Sequence, residues 1–411
     1  MTSTVPAGAP GVLESSGIDY VGYHDLDGNP AFKLAMQRVG ERYYLYLSHF
    51  WHASWSVVDV TDPASPRLVR TIDGPPNTWT LQVQVADGLM INALERATPG
   101  WGFDPEKTEK VGVLVWDVAT DPEDPQLLAH YDTGGRGTHR NYYAGGRYAY
   151  LAAEPEGFKG NILVILDLAD PTHPVEAGRW WWPGQWVGGG ETPEFTHYLH
   201  GPAYVVGTLA YLSYGKVGMV VLDVADPAHP QLVSRLSFGD FGSALGCHSA
   251  IPYGDVVIAN SEALLEGDTE NLGYTIAINV SDPAAPRIIS WLPTPYPSGE
   301  LPYRTYAQKG TRHGPHNQHQ YQDQPALLDD PTHVYLTHFN GGLRIYDIAE
   351  PLRALEVGFF VPEDPTVRRG PKPADALLSQ FEDVIVDARG YIYCTDKNHG
   401  LFVLKRAADQ A

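Results

Sequence analysis

Short runs of branched apolar residues recur along the chain. Each closes on Asp or Asn and is followed by a turn of the form D-P-x-x-P or a near variant. The copies read SVVDVTDPASPRLV at Ser56–Val69, VLVWDVATDPEDPQLL at Val113–Leu128, LVILDLADPTHPVEA at Leu163–Ala177 and MVVLDVADPAHPQLV at Met219–Val233. They continue as TIAINVSDPAAPRII at Thr275–Ile289 and LRIYDIAEPLRALEV at Leu343–Val357, with a partial copy, GLFVLKR, at Gly400–Arg406. β-Branched runs bounded by Pro turns predict strands. Two further strands separate successive copies, as in RNYYAGGRYAYLAAE at Arg140–Glu154, a hairpin around Gly145-Gly146. Four strands in about 50–60 residues make a propeller blade. The chain therefore predicts one all-β domain over residues 1–411, a seven-bladed β-propeller. The last copy stops near Arg406. GIDYVGYHDLDG at Gly17–Gly28 is similar to the outer strand LLAHYDTGG at Leu127–Gly135. Residues 17–25 are thus expected to complete the seventh blade and remove its open edge.

The repeated strand resembles that of the LVIVD-repeat family, most closely in LVILD at Leu163–Asp167 and MVVLD at Met219–Asp223. The resemblance extends over nearly the whole chain. It implies a β-propeller and no particular activity.

Aligning the repeats on their second strands points to one face. His139 precedes Tyr150 by 11 positions, His200 precedes Tyr211 by 11, His248 precedes Ile258 by 10, and Glu382 precedes Tyr393 by 11. The sixth repeat has a longer hairpin, QPALLDDPTH, and His319 falls 16 before Tyr335. Phe32 and Thr80 take the place in the first two repeats. Positions that open the inner strands encircle a propeller axis, so His139, His200, His248 and His319 are expected to converge on one ion. Imidazole is the commonest ligand for transition metals. His316 competes with His319 within RHGPHNQHQ, and His197 lies one turn before His200. Glu382 is expected to orient a ligand histidine rather than to bind the ion. His49 and His338 match each other in SHFWH and THFNG, and Glu154, Glu262 and Asp396 end equivalent strands. These five are candidates for supporting or acid–base groups. Cys247 adjoins His248 but lacks a nucleophile context and reads as a small buried residue.

Three long connections, at 179–199, 292–318 and 361–381, return to the proposed ring and are expected to cap the mouth of a pocket. Their aromatic content, with that of neighbouring segments, suggests a small-molecule site lined by Trp51, Trp79, Trp181, Trp186, Tyr303 and Phe339. The expected function is a metal-dependent enzyme acting on a small aromatic or apolar molecule. Oxygenase-type chemistry on Fe(II) is favoured, with Cu, Zn or Mn as alternatives. The layout is similar to that of carotenoid-cleaving dioxygenases, which hold iron by four histidines in a seven-bladed propeller, although their sequence motifs are absent. A hydrolase or lyase with metal-activated water, and a non-catalytic scaffold for a protein partner, are the competing readings.

Charge narrows the partners. Asp and Glu total 49 against 28 Lys and Arg, a formal net charge of −21. With no basic stripe, nucleic acid and anionic membrane surfaces are disfavoured. Two cysteines, Cys247 and Cys394, suit a reducing compartment. The N-terminal residues lack a basic and apolar leader pattern, and no apolar run approaches a membrane span. A cytoplasmic protein is expected, and a homo-oligomer is compatible with the sequence.

Overall fold

The computed structural model describes residues 5–192, 198–238, 241–267 and 269–407. The fold is all-β and antiparallel, apart from single turns of helix. Five sheets are four-stranded. The first comprises Leu34–Val39, Arg42–Ser48, Ser54–Asp59 and Arg67–Asp73. A nine-stranded sheet then runs from Thr78–Trp79 to Val175–Trp180, its two parts joined through the short strand Gly137–Thr138. No helix among the described residues is long and apolar enough to cross a membrane.

The repeated Asp explains its own recurrence. In six copies the side chain at the end of the third strand accepts a hydrogen bond from the backbone N–H two residues on: Asp59, Asp117, Asp167, Asp223, Asn279 and Asp347. The Asp of the D-P-x-x-P turn repeats the motif at Asp62, Asp121, Asp170, Asp226 and Asp282. Such Asx turns reverse the chain without a strained residue. A bulge then recurs at the same place in seven pairings of a third strand with its outer strand. Bulges strengthen the local twist.

The sheets pack face to face in chain order, and the last packs on the first. There Leu34, Met36, Leu45 and Leu47 share a buried cluster with Ile385, Tyr393, Leu401 and Val403. Truncating one such leucine to Ala typically costs 2–5 kcal/mol. Lys33 Nζ and Asp383 Oδ1 form a fully buried pair at 2.9 Å across the same joint, and Leu34 N–H donates to Asp383 Oδ2 at 2.8 Å.

Two strands before Leu34 are threaded into the last two sheets. Ile18–His24 is the outer strand of the final sheet, pairing Gly400–Arg406, with the bulge between Tyr20 and Gly22. Val12–Ser16 pairs Leu355–Pro362 one sheet earlier, a contact the sequence pattern does not announce. Gly22 sits against the next turn so closely that a Cβ would lie 2.3 Å from the Pro63 carbonyl oxygen, as one at Gly178 would lie 2.2 Å from that of Pro227.

The long hairpin of the sixth repeat reaches across the axis. Gln322 N–H donates to the Tyr204 hydroxyl at 3.3 Å, and the Gln322 and Gln324 amides donate to Gln84 and to the Val85 carbonyl. This plug fills one end of the central channel with buried polar groups.

Candidate metal centre and cavity

The inner strands open in one register. The backbone N–H of Phe32, His139, His200 and His316 donates to the carbonyls of Ser48, Ala152, Ser213 and Thr337, at 3.0, 2.8, 2.9 and 2.8 Å. The next residue donates to a strand-end hydroxyl in three sheets: Lys33 to Ser48, Asn317 to Thr337 and Asp383 to Thr395. The axial positions are therefore Phe32, Leu81, His139, His200, His248, His316 and Glu382. Two sequence expectations are corrected. Leu81 replaces Thr80, which bonds the backbone of Phe50 and Ser54. His316 replaces His319, because the sixth hairpin spends three more residues on the plug than the count from Tyr335 allowed. His319 lies one strand-length away, with Nε2 2.8 Å from the Leu328 carbonyl and Nδ1 accepting from Val386 N–H at 3.1 Å.

Four imidazoles follow one another around the axis. Ring centres are 4.6 Å apart from His139 to His200, from His200 to His248 and from His248 to His316. His139 Nδ1 lies 2.6 Å from Glu95 Oε2, His316 Nδ1 2.7 Å from the Glu382 carbonyl and His248 Nδ1 2.8 Å from Ser249 Oγ. A carboxylate and a carbonyl can only accept, so the first two rings carry their proton on Nδ1 and leave Nε2 as a lone pair. Burial, reinforced by neighbouring cations and imidazoles, holds His200, His248 and His316 well below the usual imidazole range, hence neutral.

Glu262 faces this arc. Its Oε2 lies 3.5 Å from both His200 Nε2 and His248 Nε2, and its Oε1 3.7 Å from His316 Nε2. Arg312 pairs with Oε1. Glu262 Oε2 and His248 Nε2 are buried without a hydrogen-bond partner among the described residues. Two buried polar atoms left unpartnered so close together are unfavourable unless a bound ion or polar ligand meets them. Ligand atoms of His200, His248 and Glu262 all lie within 4.8 Å of one another, a group able to coordinate a metal ion. Imidazoles bonded at 2.0–2.1 Å place ring centres about 3.2 Å from an ion, so a 4.6 Å spacing suits neighbouring ligands at roughly right angles.

A second tier stands two residues past the strand-end position held by Ser48, Ala93, Ala152, Ser213, Asn260, Thr337 and Thr395: Phe50, Glu95, Glu154, Gly215, Glu262, Phe339 and Lys397. Glu95 shares the register of Glu154 and Glu262; that shared place at a second-strand end was the signal by which it could have been found. Asp396 is one residue out of this tier and instead accepts from Ser379 Oγ at 2.7 Å and from the N–H groups of Asn398 and His399. Lys397 takes its place and pairs with Glu382 at 2.5 Å, while Glu382 Oε2 is 3.4 Å from His316 Nδ1. Beneath the imidazoles, the buried Arg140 guanidinium donates to the carbonyls of Gly201 and His248 at 2.6 Å each and to Asn317 Oδ1 at 2.7 Å. It ties its own sheet to the next three under the site.

The cluster forms the floor of a 660 Å³ cavity. Phe32, Phe50, Trp79, Leu81 and Trp101 make its apolar wall. Glu154 lines it, half-buried, 3.8 Å from Arg136. Other expected residues lie elsewhere. His49 is fully buried between the Pro30 carbonyl and Ser56 Oγ, and His338 lies 3.3 Å from the Tyr346 hydroxyl. Trp51 donates to the Arg369 carbonyl, Trp181 packs on Phe158 and Tyr303 on Tyr306; Trp186 is largely exposed. None of these lines the cavity; Trp51 is buried behind the wall against Phe50, at 4.6 Å. Phe339 is buried behind the wall, stacked on His316 at 4.5 Å. His197 lies outside the described residues. Of the three long connections, the described residues that reach the cavity are Tyr198, Arg312, His316 and Asn317; Trp101 comes from the hairpin after Leu89–Arg96.

The chain matches the LVIVD repeat over residues 43–73, 138–180 and 204–237. No curated protein matches it. Among solved structures it is similar to the Cps50 (Swd1) β-propeller domain of Myceliophteria thermophila, at 9% identity over 96% of this chain and 98% of that one, with a TM-score of 0.53. It is also similar to a hypothetical selenium-binding protein from Sulfolobus tokodaii, at 12% identity over 92% and 86% of the two chains, with a TM-score of 0.54. At such identities the likeness is one of fold. The chain thus has an LVIVD-repeat β-propeller fold, with a buried His and Glu cluster able to hold a metal on its inner strands.

Proposed function

We propose that the chain is a metal-dependent enzyme in which His139, His200, His248 and His316 hold a divalent transition metal on the axis of seven blades. The nine-stranded sheet counts as blades two and three, and Ile18–His24 closes blade seven; the bulge repeated in seven outer pairings supports this count. The observation that carries the metal reading is the pair of buried, unpartnered atoms Glu262 Oε2 and His248 Nε2, 3.5 Å apart.

Imidazole suits Zn, Cu, Fe and Ni alike; of these we favour Fe(II), which when bound would supply oxygenase-type chemistry with O2. The protein's own groups prepare the site. Glu95 and the Glu382 carbonyl orient two imidazoles and raise their basicity. The aromatic wall binds a small apolar or aromatic body and keeps water from the floor. Glu262, tethered by Arg312 through one oxygen, turns the other toward the ion, placed to complete the donor set or to take a proton from a molecule bound there. That second oxygen is also what favours the second reading, a Zn or Mn hydrolase or lyase with Glu262 as general base.

Elemental analysis of untagged protein, alongside His248→Ala and His316→Ala, tests the proposal. About one transition-metal ion per chain in the parent and little in either variant is expected. A parent without bound metal overturns the enzyme reading. Iron or copper, as opposed to zinc, separates the two chemistries.

A further inference from the structure

Resting on the reading of this cavity as the substrate site, we propose that its substrate is a small aromatic carboxylate. Its ring lies against Phe50, Trp79 and Trp101, and its carboxylate is held by Lys159.

The cavity reverses the charge of the molecule. The chain has a formal net charge of −21, yet the cavity is lined by Arg136, Arg140, Lys159, Arg312 and Lys397 against Glu95, Glu154 and Glu262. The acids are already engaged. Glu262 pairs with Arg312, while Glu95 holds His139 and, with Glu154, flanks Arg136 at 3.5 and 3.8 Å. Lys397 is matched by Glu382 behind the wall. Two cations are left without a counter-charge among the described residues. Arg140 is buried and spends its hydrogens on neutral acceptors. Lys159 is exposed at the cavity and forms no ion pair among the described residues. Uncompensated positive charge with low-dielectric walls draws an anion into the cleft and discriminates against a neutral analogue.

The aromatic part of the lining has no charge to offer. Phe32 stacks on Phe50 at 4.9 Å, Phe50 lies 4.9 Å from Trp79, and Trp79 lies 5.5 Å from Trp101. This continuous aromatic surface belongs to the first two repeats. Lys159 belongs to the third, which also carries His139. A ligand satisfying both parts carries an aromatic ring at one end and a negative group at the other, and 660 Å³ accommodates one or two rings.

The test is calorimetric titration of phenylacetate, its neutral counterpart phenylacetamide, and acetate, into the metal-loaded and the chelator-treated protein. Phenylacetate is expected to bind at least about tenfold more tightly than either of the others, and to weaken with added salt. Lys159→Gln, at an exposed position, should remove most of the preference for acid over amide. Trp101→Ala should weaken acid and amide alike. Equal binding of acid and amide, or acetate as tight as phenylacetate, overturns the inference. So does an acid preference that vanishes with the metal and ignores Lys159→Gln, since the carboxylate would then sit on the ion. A preference that persists in protein found to hold no metal supports this inference and overturns the metal reading alone.

Discussion

Glu95 Oε2 lies 2.6 Å from His139 Nδ1, so the most exposed of the four imidazoles is also the one held by a carboxylate. The pair fixes the proton on Nδ1 and points Nε2 at the axis. Glu95→Gln keeps the shape and removes the charge. It should lower metal affinity about 10–100-fold, the usual effect of losing such a partner. Chelator competition measures this, and unchanged retention would show that His139 is not a ligand.

His316 and His319 separate by the same means. His316→Ala should abolish most metal binding. His319→Ala should leave metal content intact and lower stability by about 1–3 kcal/mol, because it strands the Leu328 carbonyl and the Val386 N–H. Thermal unfolding with metal analysis on both variants decides; metal loss on His319→Ala contradicts the register.

Acid should destabilise the fold in a defined window. Burial lowers His49 and His319 from 6.5 to about 4. Above pH about 6.5 the folded and unfolded forms are both neutral at these sites. Below it the unfolded chain takes up protons that the folded one refuses, so stability falls as the pH drops from about 6.5 to about 4. Denaturant midpoints across that range should decline in the parent and decline less in His49→Gln. Equal slopes would remove His49 as a contributor.

The buried Lys33–Asp383 pair should be worth more broken than absent. Asp383→Ala leaves an unmatched ammonium and should cost about 3–5 kcal/mol. The double variant Lys33→Met, Asp383→Leu should recover part of this, the remainder reflecting the Leu34 N–H left without its acceptor. A double variant no better than the single would mean that packing, and not charge, governs the joint.

Much of the ring was legible because the repeat carries its own ruler. An Asx turn ends each third strand, and counting back from the second strand reaches His139, His200 and His248 without knowledge of any contact. The count failed where a hairpin changes length. Nothing in QPALLDDPTH says how many residues cross the axis, so His319 and His316 could be told apart only by the backbone bond to Thr337. Glu95 was missed because a strand-end glutamate is ordinary until its register with Glu154 and Glu262 is seen. The tryptophans misled for another reason. Aromatic loop residues serve equally to fasten a loop, as Trp181 does on Phe158, and to wall a cavity, as Trp101 does.

The threading of residues 12–24 into the last two sheets also dictates an order of events on the ribosome. The Tyr23 hydroxyl donates to the His399 carbonyl across 376 positions of chain. Until that distant stretch has been synthesised, Val12–Ser16 and Ile18–His24 have no partner strands, and the two sheets they finish expose an edge. Assembly from the first repeat onward can proceed locally, but the final joining is among the most non-local pairings a chain of this length can make and should be its slow step. Over that interval the nascent protein holds its own first strands in reserve, and nascent-chain handling, more than the finished ring, sets how much of it escapes aggregation.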